Sequence, residues 1–419
     1  MSKLNQKMKF KAISYLAVGA MAVLTACSHE GDNFGDRVLF TGTETSPVVK
    51  FLCDGMSSTA LTVTSTAKAT TDVHITVKAA PELLDAYNKK YNRSFVAPEP
   101  NMYQLENTDL VIKAGSNMSS QVKITSNSED LAEGVGYMLP ITITSVSGDD
   151  LGVIEDSRTA YVQFTKVITI KAGFLNGSSS YEIPGFKCTD ASDPLSSPVA
   201  ALNQMTIEMK VLPLRFGTNP NQASGISTLC GNEENFLFRF GDGGGQPTNQ
   251  LELVKCAIGT DPSPDKKEHY ADPNIHMGTF DTGHWIHFAA VYDGSMLRVY
   301  RDCEQIAAIE TAGGQINLST AYNGSSGWFD TFTIGSSCHS RFFNGYVSEC
   351  RVWNVPRTIA ELENGLCYVD PTSEGLIACW RFDGETNADG SIRDVTGHGY
   401  DATMLTGSAT WVDGQKCPY

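Results

Sequence analysis

Three aspartates near the carboxyl-terminal end, Asp383, Asp394 and Asp401, stand beside Gly384, Gly397, Gly399 and their turn-forming neighbours. Ca²⁺ takes about six to eight oxygen ligands, and loops that mix carboxylates with backbone carbonyls supply them. A structural calcium site is therefore expected there, with simple Asx-turns and solvated acids as the alternative. A second kind of chemistry is suggested by Tyr322-Asn-Gly-Ser-Ser-Gly-Trp-Phe-Asp330. Sugar faces stack on aromatic rings while their hydroxyls need convergent polar groups. Trp328, Phe329 and Tyr322 offer rings, and Asn323 and Asp330 offer hydrogen bonds beside them, with the alternative that Trp328 begins the Phe332 strand and tucks inward. Trp285, Trp353, Trp380 and Trp411 match or adjoin predicted strands, where packing accounts for them.

Other reactive groups point to less. Glycoside hydrolysis needs two carboxyl groups roughly 5 to 9.5 Å apart across the bond. Glu361 and Glu363 are close together but fall on a predicted helix, where solvation is expected. His269, His276, His284 and His287 are near one another, yet their spacing does not converge as zinc ligands do, and His287 is expected on an exposed strand. The run Phe240-Gly-Asp-Gly-Gly-Gly-Gln246 lacks the Gly-Lys-Ser/Thr ending of a phosphate loop and reads as a hairpin between two strands. Of 11 cysteines, Cys53 stands alone early and nine fall from Cys188 onward, with no Cys-x-x-Cys pair. Their spacing does not indicate metal, and nine leaves at least one free or reaching outside its domain.

The elements that must carry these groups read as strands. Leu61–Thr64, Val73–Val77, Gln121–Thr125 and Leu139–Thr144 alternate with period two, as half-buried strands do. One segment differs, Pro81-Glu-Leu-Leu-Asp-Ala-Tyr-Asn-Lys-Lys-Tyr91, with Pro81 suited to a first helical turn and Leu83, Leu84, Tyr87 and Tyr91 on one face. Residues 37–166 are expected to form a sandwich of seven or eight strands with one short helix. A junction rich in turn residues follows from Val167. Later strands run from Met205 to Val211, Phe236 to Phe240, Trp285 to Tyr292, Leu297 to Tyr300 and Phe343 to Trp353, many joined by Asp-Gly or Asn-Gly turns. Thr358-Ile-Ala-Glu361 is a capping box for a short helix that Gly365 ends.

At the amino terminus, Lys3, Lys7, Lys9 and Lys11 precede an apolar run from Ala12 to Leu24, the layout of an export signal. It ends in Leu24-Thr25-Ala26-Cys27, which resembles a bacterial lipobox. Residues 1–26 are then a removed signal, Cys27 a lipidated first residue, and 27–36 an acidic tether. Loss of four lysines takes the formal charge from −16 to −20. Such a chain repels nucleic acid and anionic membrane surfaces, so the lipid is the expected membrane attachment.

Two resemblances sharpen the reading. Trp285-Ile-His-Phe-Ala-Ala-Val-Tyr-Asp-Gly294, Leu297-Arg-Val-Tyr300, Phe332-Thr-Ile-Gly335 and Phe343 to Trp353 resemble the laminin-G-like branch of the concanavalin A-type lectin and glucanase sandwiches. That implies a jelly-roll sandwich over 167–419. The segment Leu84 to Arg93, with Tyr103–Leu105, Ile112–Gly115 and Tyr137–Ile141, is similar to the domain of unknown function 1735, which sits behind a lipobox in glycan-foraging bacteria and carries no assigned active site. Three departures stand out. The strand-like Gly375–Gly384, which many relatives of the sandwich carry at its start, comes here at the end. Asp302-Cys303 replaces a polar-Gly turn and calls for a disulfide or a changed turn. Ser348 stands where relatives often have an acid, although Glu349 remains, and the Glu-x-Asp-x-x-Glu run of the glucanases is absent.

The expectation is an all-β chain of two sandwiches, anchored by lipid in the outer membrane and facing the exterior, that binds carbohydrate without cleaving it and serves outer-membrane glycan import proteins. The alternatives are a glycoside hydrolase with a non-standard carboxylate pair and a structural or adhesive module contacting another protein.

Overall fold

The computed structural model describes residues 35–418 apart from 191, 194, 234–235, 255–257, 260–273, 312, 320–331 and 339. Strands make up 48% of it and helices 8%, the all-β class expected. Alternation builds the first sandwich. In Val73–Ala79, Val73, Ile75 and Val77 are buried while His74 and Lys78 face water, and Val122–Asn127 repeats the pattern. Eleven strands lie between Arg37 and Lys166, more than the seven or eight expected. The surplus consists of pieces such as Gly152–Val153, too short to show a period. One five-stranded and two three-stranded sheets enclose a core that includes Phe40, Phe51, Leu139 and Phe164.

The helix forms where Pro81 suggests. A 3₁₀ turn over Pro81–Leu83 leads into the helix Leu84–Tyr91, which ends at Asn92 in the left-handed region, φ 50°. Leu84 and Tyr87 pack with Phe95 and Met138, but Tyr91 turns outward and stacks on Tyr87 at 4.6 Å. By spacing Tyr91 shares the face of Leu84 and Tyr87, but it is the last residue of the helix, where the chain turns away at Asn92.

From Ile168 onward the described strands join two large antiparallel sheets and one small two-stranded one, Ile258–Gly259 with Gln315–Ile316. The eight-stranded sheet runs in the order Glu304–Glu310, Met296–Arg301, Ile286–Tyr292, Met205–Arg215, Asn344–Trp353, Ile168–Asn176, Thr410–Cys417, with Leu376–Arg381 added beside Asn344–Trp353. The seven-stranded sheet is centred on Phe236–Phe240, Ser227–Asn232 and Thr333–Ile334. Ile207, Met209, Phe238, Phe288, Val352 and Trp380 fill the space between them. The first and last segments of this sandwich meet. Ile168–Asn176 pairs with Thr410–Cys417, and Ser180–Glu182 with Thr403–Thr406. Because the two ends are neighbours, the strand Leu376–Arg381 can take its place although it comes late in the chain.

The outer face of the eight-stranded sheet is also covered. Thr358 and Glu361 form the expected capping box and start the helix Ile359–Asn364. Leu362 from that helix packs on Ala289, Val291 and Tyr300, while Val369 packs on Trp353 and Cys379. The Asp302–Cys303 question resolves as a changed turn. Both residues have positive φ, 50° and 64°, as the two centres of a type I′ hairpin require. The Asp302 carboxylate accepts the His287 N–H at 2.9 Å, and Cys303 is a buried, free thiol. One disulfide is present among the described residues, Cys367–Cys417.

Candidate functional site: a groove at a fork in the sheet

The strand Asn344–Trp353 has one continuous neighbour and one divided edge. Met205–Arg215 pairs along its length, but the register skips Ser348, since Lys210 faces Glu349 and Val211 faces Val347. Ser348 is therefore the extra residue of a β-bulge, which bends a strand and re-aims its side chains. On the other edge, Asn344–Val347 pairs with Gly173–Asn176, whereas Glu349–Trp353 pairs with Leu376–Arg381. The two partners part at Ser348, whose carbonyl accepts the Phe382 N–H at 3.0 Å. A groove of about 330 Å³ opens at this fork, between Ile168–Lys171 on one side, Arg381, Asp383 and Glu385 on the other, and Cys367–Tyr368 above.

Its floor is a charged network. Glu349 accepts hydrogen bonds from Arg351, from Arg381 Nε at 3.2 Å and from the Cys379 thiol at 3.0 Å. Arg351 also reaches Glu208 at 3.4 Å, and Glu208 accepts from Trp353 Nε1 at 2.9 Å and lies 2.9 Å from His287 Nε2. Lys210 donates to the Leu366 carbonyl at 2.9 Å. Burial works against ionisation of Glu349, but Arg351, Arg381 and Lys210 outweigh it and hold its carboxyl at about 2. Glu208, also buried, is held well below the usual carboxylate range by Arg351 and the His287 hydrogen bond. Burial lowers Lys210 to about 8 despite the attraction of Glu349 and Glu208. Arg381 and Glu349 are the members of this network that reach the groove, and Arg381 is the more exposed. Its side chain is 24% exposed, donates to the Val369 carbonyl at 2.7 Å and lies over the Tyr368 ring at 4.9 Å. Pinned on several sides, it presents donors in a set direction.

This arrangement suits recognition of a neutral polar ligand. Arg381, Asp383, Glu385, Ser348 and Lys171 offer donors and acceptors around one cavity, beside the ring of Tyr368. Of the carboxyls in the network, Glu349 and Glu208 do not suit the acid role of a glycosidase, which needs one carboxyl kept protonated near its working pH. Glu349 and Glu208 are both held ionised by arginine.

Residues 190–363 match the concanavalin A-like lectin/glucanases superfamily in its laminin G form. Residues 34–150 match a family described as an N-terminal domain. No curated protein matches the chain. Solved structures similar to it include a candidate carbohydrate-binding protein from Bacteroides ovatus, 23% identical, covering 90% of this chain and 98% of that one with a TM-score of 0.48. Domain 4 of an extracellular arabinanase from Geobacillus stearothermophilus, in complex with arabinotriose, is 17% identical over 46% of this chain and 75% of that one, with a TM-score of 0.30. A heptameric SAP-like pentraxin from Limulus polyphemus is 12% identical over 59% and 94%, with a TM-score of 0.34. Likeness at these levels concerns fold and not function.

In this concanavalin A-like sandwich the residues singled out from sequence are scattered. Tyr322, Asn323, Trp328, Phe329 and Asp330 lie outside the described residues, as does Cys27. The three aspartates assigned to calcium do not form a cage. Asp394 is buried and accepts the N–H groups of Cys379 at 3.1 Å, Thr396 at 3.1 Å and Tyr400 at 3.3 Å. Asp401 accepts from the Asp394 N–H and from Asn387 Nδ2, each at 2.8 Å. Asp383 caps the Glu385 N–H at 2.9 Å and lines the groove. Among the described residues no three His, Cys, Asp or Glu side chains gather as metal ligands. The carboxylates instead brace turns, which is the alternative the spacing allowed.

His287 is buried against Glu208 rather than exposed, because the 354–375 connection covers its strand. Glu361 is the exposed acid of the capping box, but Glu363 pairs with Arg93 of the first sandwich at 3.2 Å. Trp285, Trp353 and Trp380 are buried as expected, whereas Trp411 is 38% exposed. Sequence reasoning did not find the groove. The signal was the Ser348 departure, which marks the bulge where the sheet forks.

Proposed function

We propose that this protein is a surface-anchored lipoprotein that binds carbohydrate in the fork groove without cleaving it. The observation that carries the reading is the groove itself, with a pinned Arg381, carboxylates and a hydroxyl converging beside Tyr368. Hydroxyl-rich ligands need such planar, preset donors and acceptors, and a cavity near the lower end of the ~300–1,000 Å³ range of ligand sites accommodates part of a glycan. Absence of hydrolysis follows in this reading from the ionised state of Glu349 and Glu208. Display at the outer membrane, facing outward and near glycan import proteins, is supported by the lipobox at Cys27 and the acidic tether. Among the described residues no helix is long and apolar enough to cross a membrane.

A glycan array with purified protein tests the binding, followed by the same array with Arg381→Ala. Binding by the wild type that the variant loses is the expected outcome. Release of reducing sugar from any bound glycan would support the hydrolase instead. Silence on the array, with capture of a defined surface protein, would favour an adhesive role.

A further inference from the structure

Among the described residues Trp411 is the one tryptophan left partly exposed. It lies on Thr410–Cys417, an edge strand of the eight-stranded sheet, directly opposite Gly173. Two glycines make its seat. A Cβ at Gly173 would come within 2.7 Å of Phe382 and 3.2 Å of the Trp411 ring. A Cβ at Gly384 would meet the Trp411 ring at 3.5 Å, and Gly384 has φ of +87°, where other residues are strained. Gly384 separates Asp383 and Glu385, both of which line the groove. The indole therefore rests on the same short loop whose side chains form the groove wall. An edge strand ordinarily carries charge or small residues against unwanted pairing. Thr410, Asp413, Gly414 and Lys416 follow that rule, and an exposed indole among them breaks it.

We propose that the groove and the Trp411 indole are two parts of one extended site, so that the ligand is a neutral oligosaccharide of at least two linked rings. One ring occupies the groove and a later ring stacks on Trp411. This rests on the groove reading and deepens it. Neutrality follows from the charge around the path. Glu349 is paired with Arg351 and Arg381, Glu385 with Arg393 at 4.0 Å, and Asp413 with Lys171 at 3.7 Å, so the cations along the path are already committed to carboxylates. A uronic or sulfated chain would have to compete with these carboxylates for each cation.

The experiment is titration calorimetry with gluco-, manno- and xylo-oligosaccharides and, as the acidic arm, oligogalacturonides, each of one to six rings, on wild type, Trp411→Ala, Trp411→Phe and Arg381→Ala. For a bound series, affinity is expected to rise with length in the wild type. Trp411→Ala should flatten that rise by roughly tenfold at the longer lengths, as loss of an aromatic contact implies, and Trp411→Phe should restore part of it. Equal length dependence in the wild type and both Trp411 variants overturns the inference while leaving the groove standing, provided Arg381→Ala loses binding. Undiminished binding by Arg381→Ala overturns the groove reading itself. Binding confined to acidic oligosaccharides, or to none of the neutral series, overturns the neutral assignment. Thermal melting of each variant separates loss of binding from loss of fold, and the Phe variant retains the test if the Ala variant unfolds.

Discussion

The outward faces of the two sandwiches are written in similar alternating strands but meet opposite fates. In the first sandwich the outward charges stay in water. Lys78–Glu82 and Lys113–Asp72 are ion pairs with both partners well exposed. In the second, the equivalent face of the eight-stranded sheet carries Glu208, Lys210, Glu349 and Arg351, each almost wholly buried. The difference is the cover. The 354–375 connection and its capped helix lie over the second sheet, and charge trapped beneath must be paired to persist. What stands as solubilising decoration on one sheet becomes, on the other, the rigid floor of a groove.

The sharpest test of this contrast removes the middle of the network. Arg351→Ala leaves Glu208 and Glu349 buried without their shared partner and should cost about 3–5 kcal/mol in denaturant unfolding. Lys78→Ala in the first sandwich should leave the unfolding midpoint unchanged. Similar effects from the two substitutions would end the comparison.

Next in size is the covalent tie. Cys367–Cys417 links the cover to the edge strand across a separation of 50 residues, while the first sandwich has only the free, buried Cys53. Replacing both bridged cysteines by serine should lower the stability of the second sandwich by about 2–4 kcal/mol. Calorimetry should show a fall in that transition, with the first sandwich melting as before.

A smaller loss is expected from Asp394→Ala, about 1–3 kcal/mol, since buried N–H groups of Cys379 and Tyr400 lose their acceptor. The wild-type melting temperature should be the same in calcium and in chelator. A drop in chelator would reinstate a metal role for these aspartates.

The mildest effect is in the pH dependence. Glu349 titrates near 2 when folded, below the ~4.3 of a free glutamate, so its contribution is complete above about pH 5 and lost as pH falls towards 2. Lys210 titrates near 8 when folded, below the ~10.4 of a free lysine, so the unfolded chain binds its proton more tightly. Stability should therefore rise from pH 8 to about pH 10 relative to Lys210→Met. A parallel course for the two proteins would show that the buried amine is not so perturbed.

The alternation of Val73, Ile75 and Val77, the Thr358–Glu361 capping box and the Gly-rich hairpin after Phe240 were all legible, because each depends on neighbours within a few residues. So was the two-sheet class, since period-two strands separated by turn residues allow little else. Even the bulge left a trace in Ser348. Tertiary structure alone decided which polar residues would be buried. Glu208, His287 and Glu349 come from three strands far apart in the chain, and their burial depends on a connection that no local pattern assigns to that face. It likewise turned Asp394 and Asp401 into turn braces by bringing the N–H groups of Cys379 and Tyr400 to the one and Asn387 to the other, and left Trp411 exposed by placing its strand at an edge. Periodicity records which side of a strand is apolar. It holds no record of what lies against the other side, because that depends on contacts between residues distant in sequence.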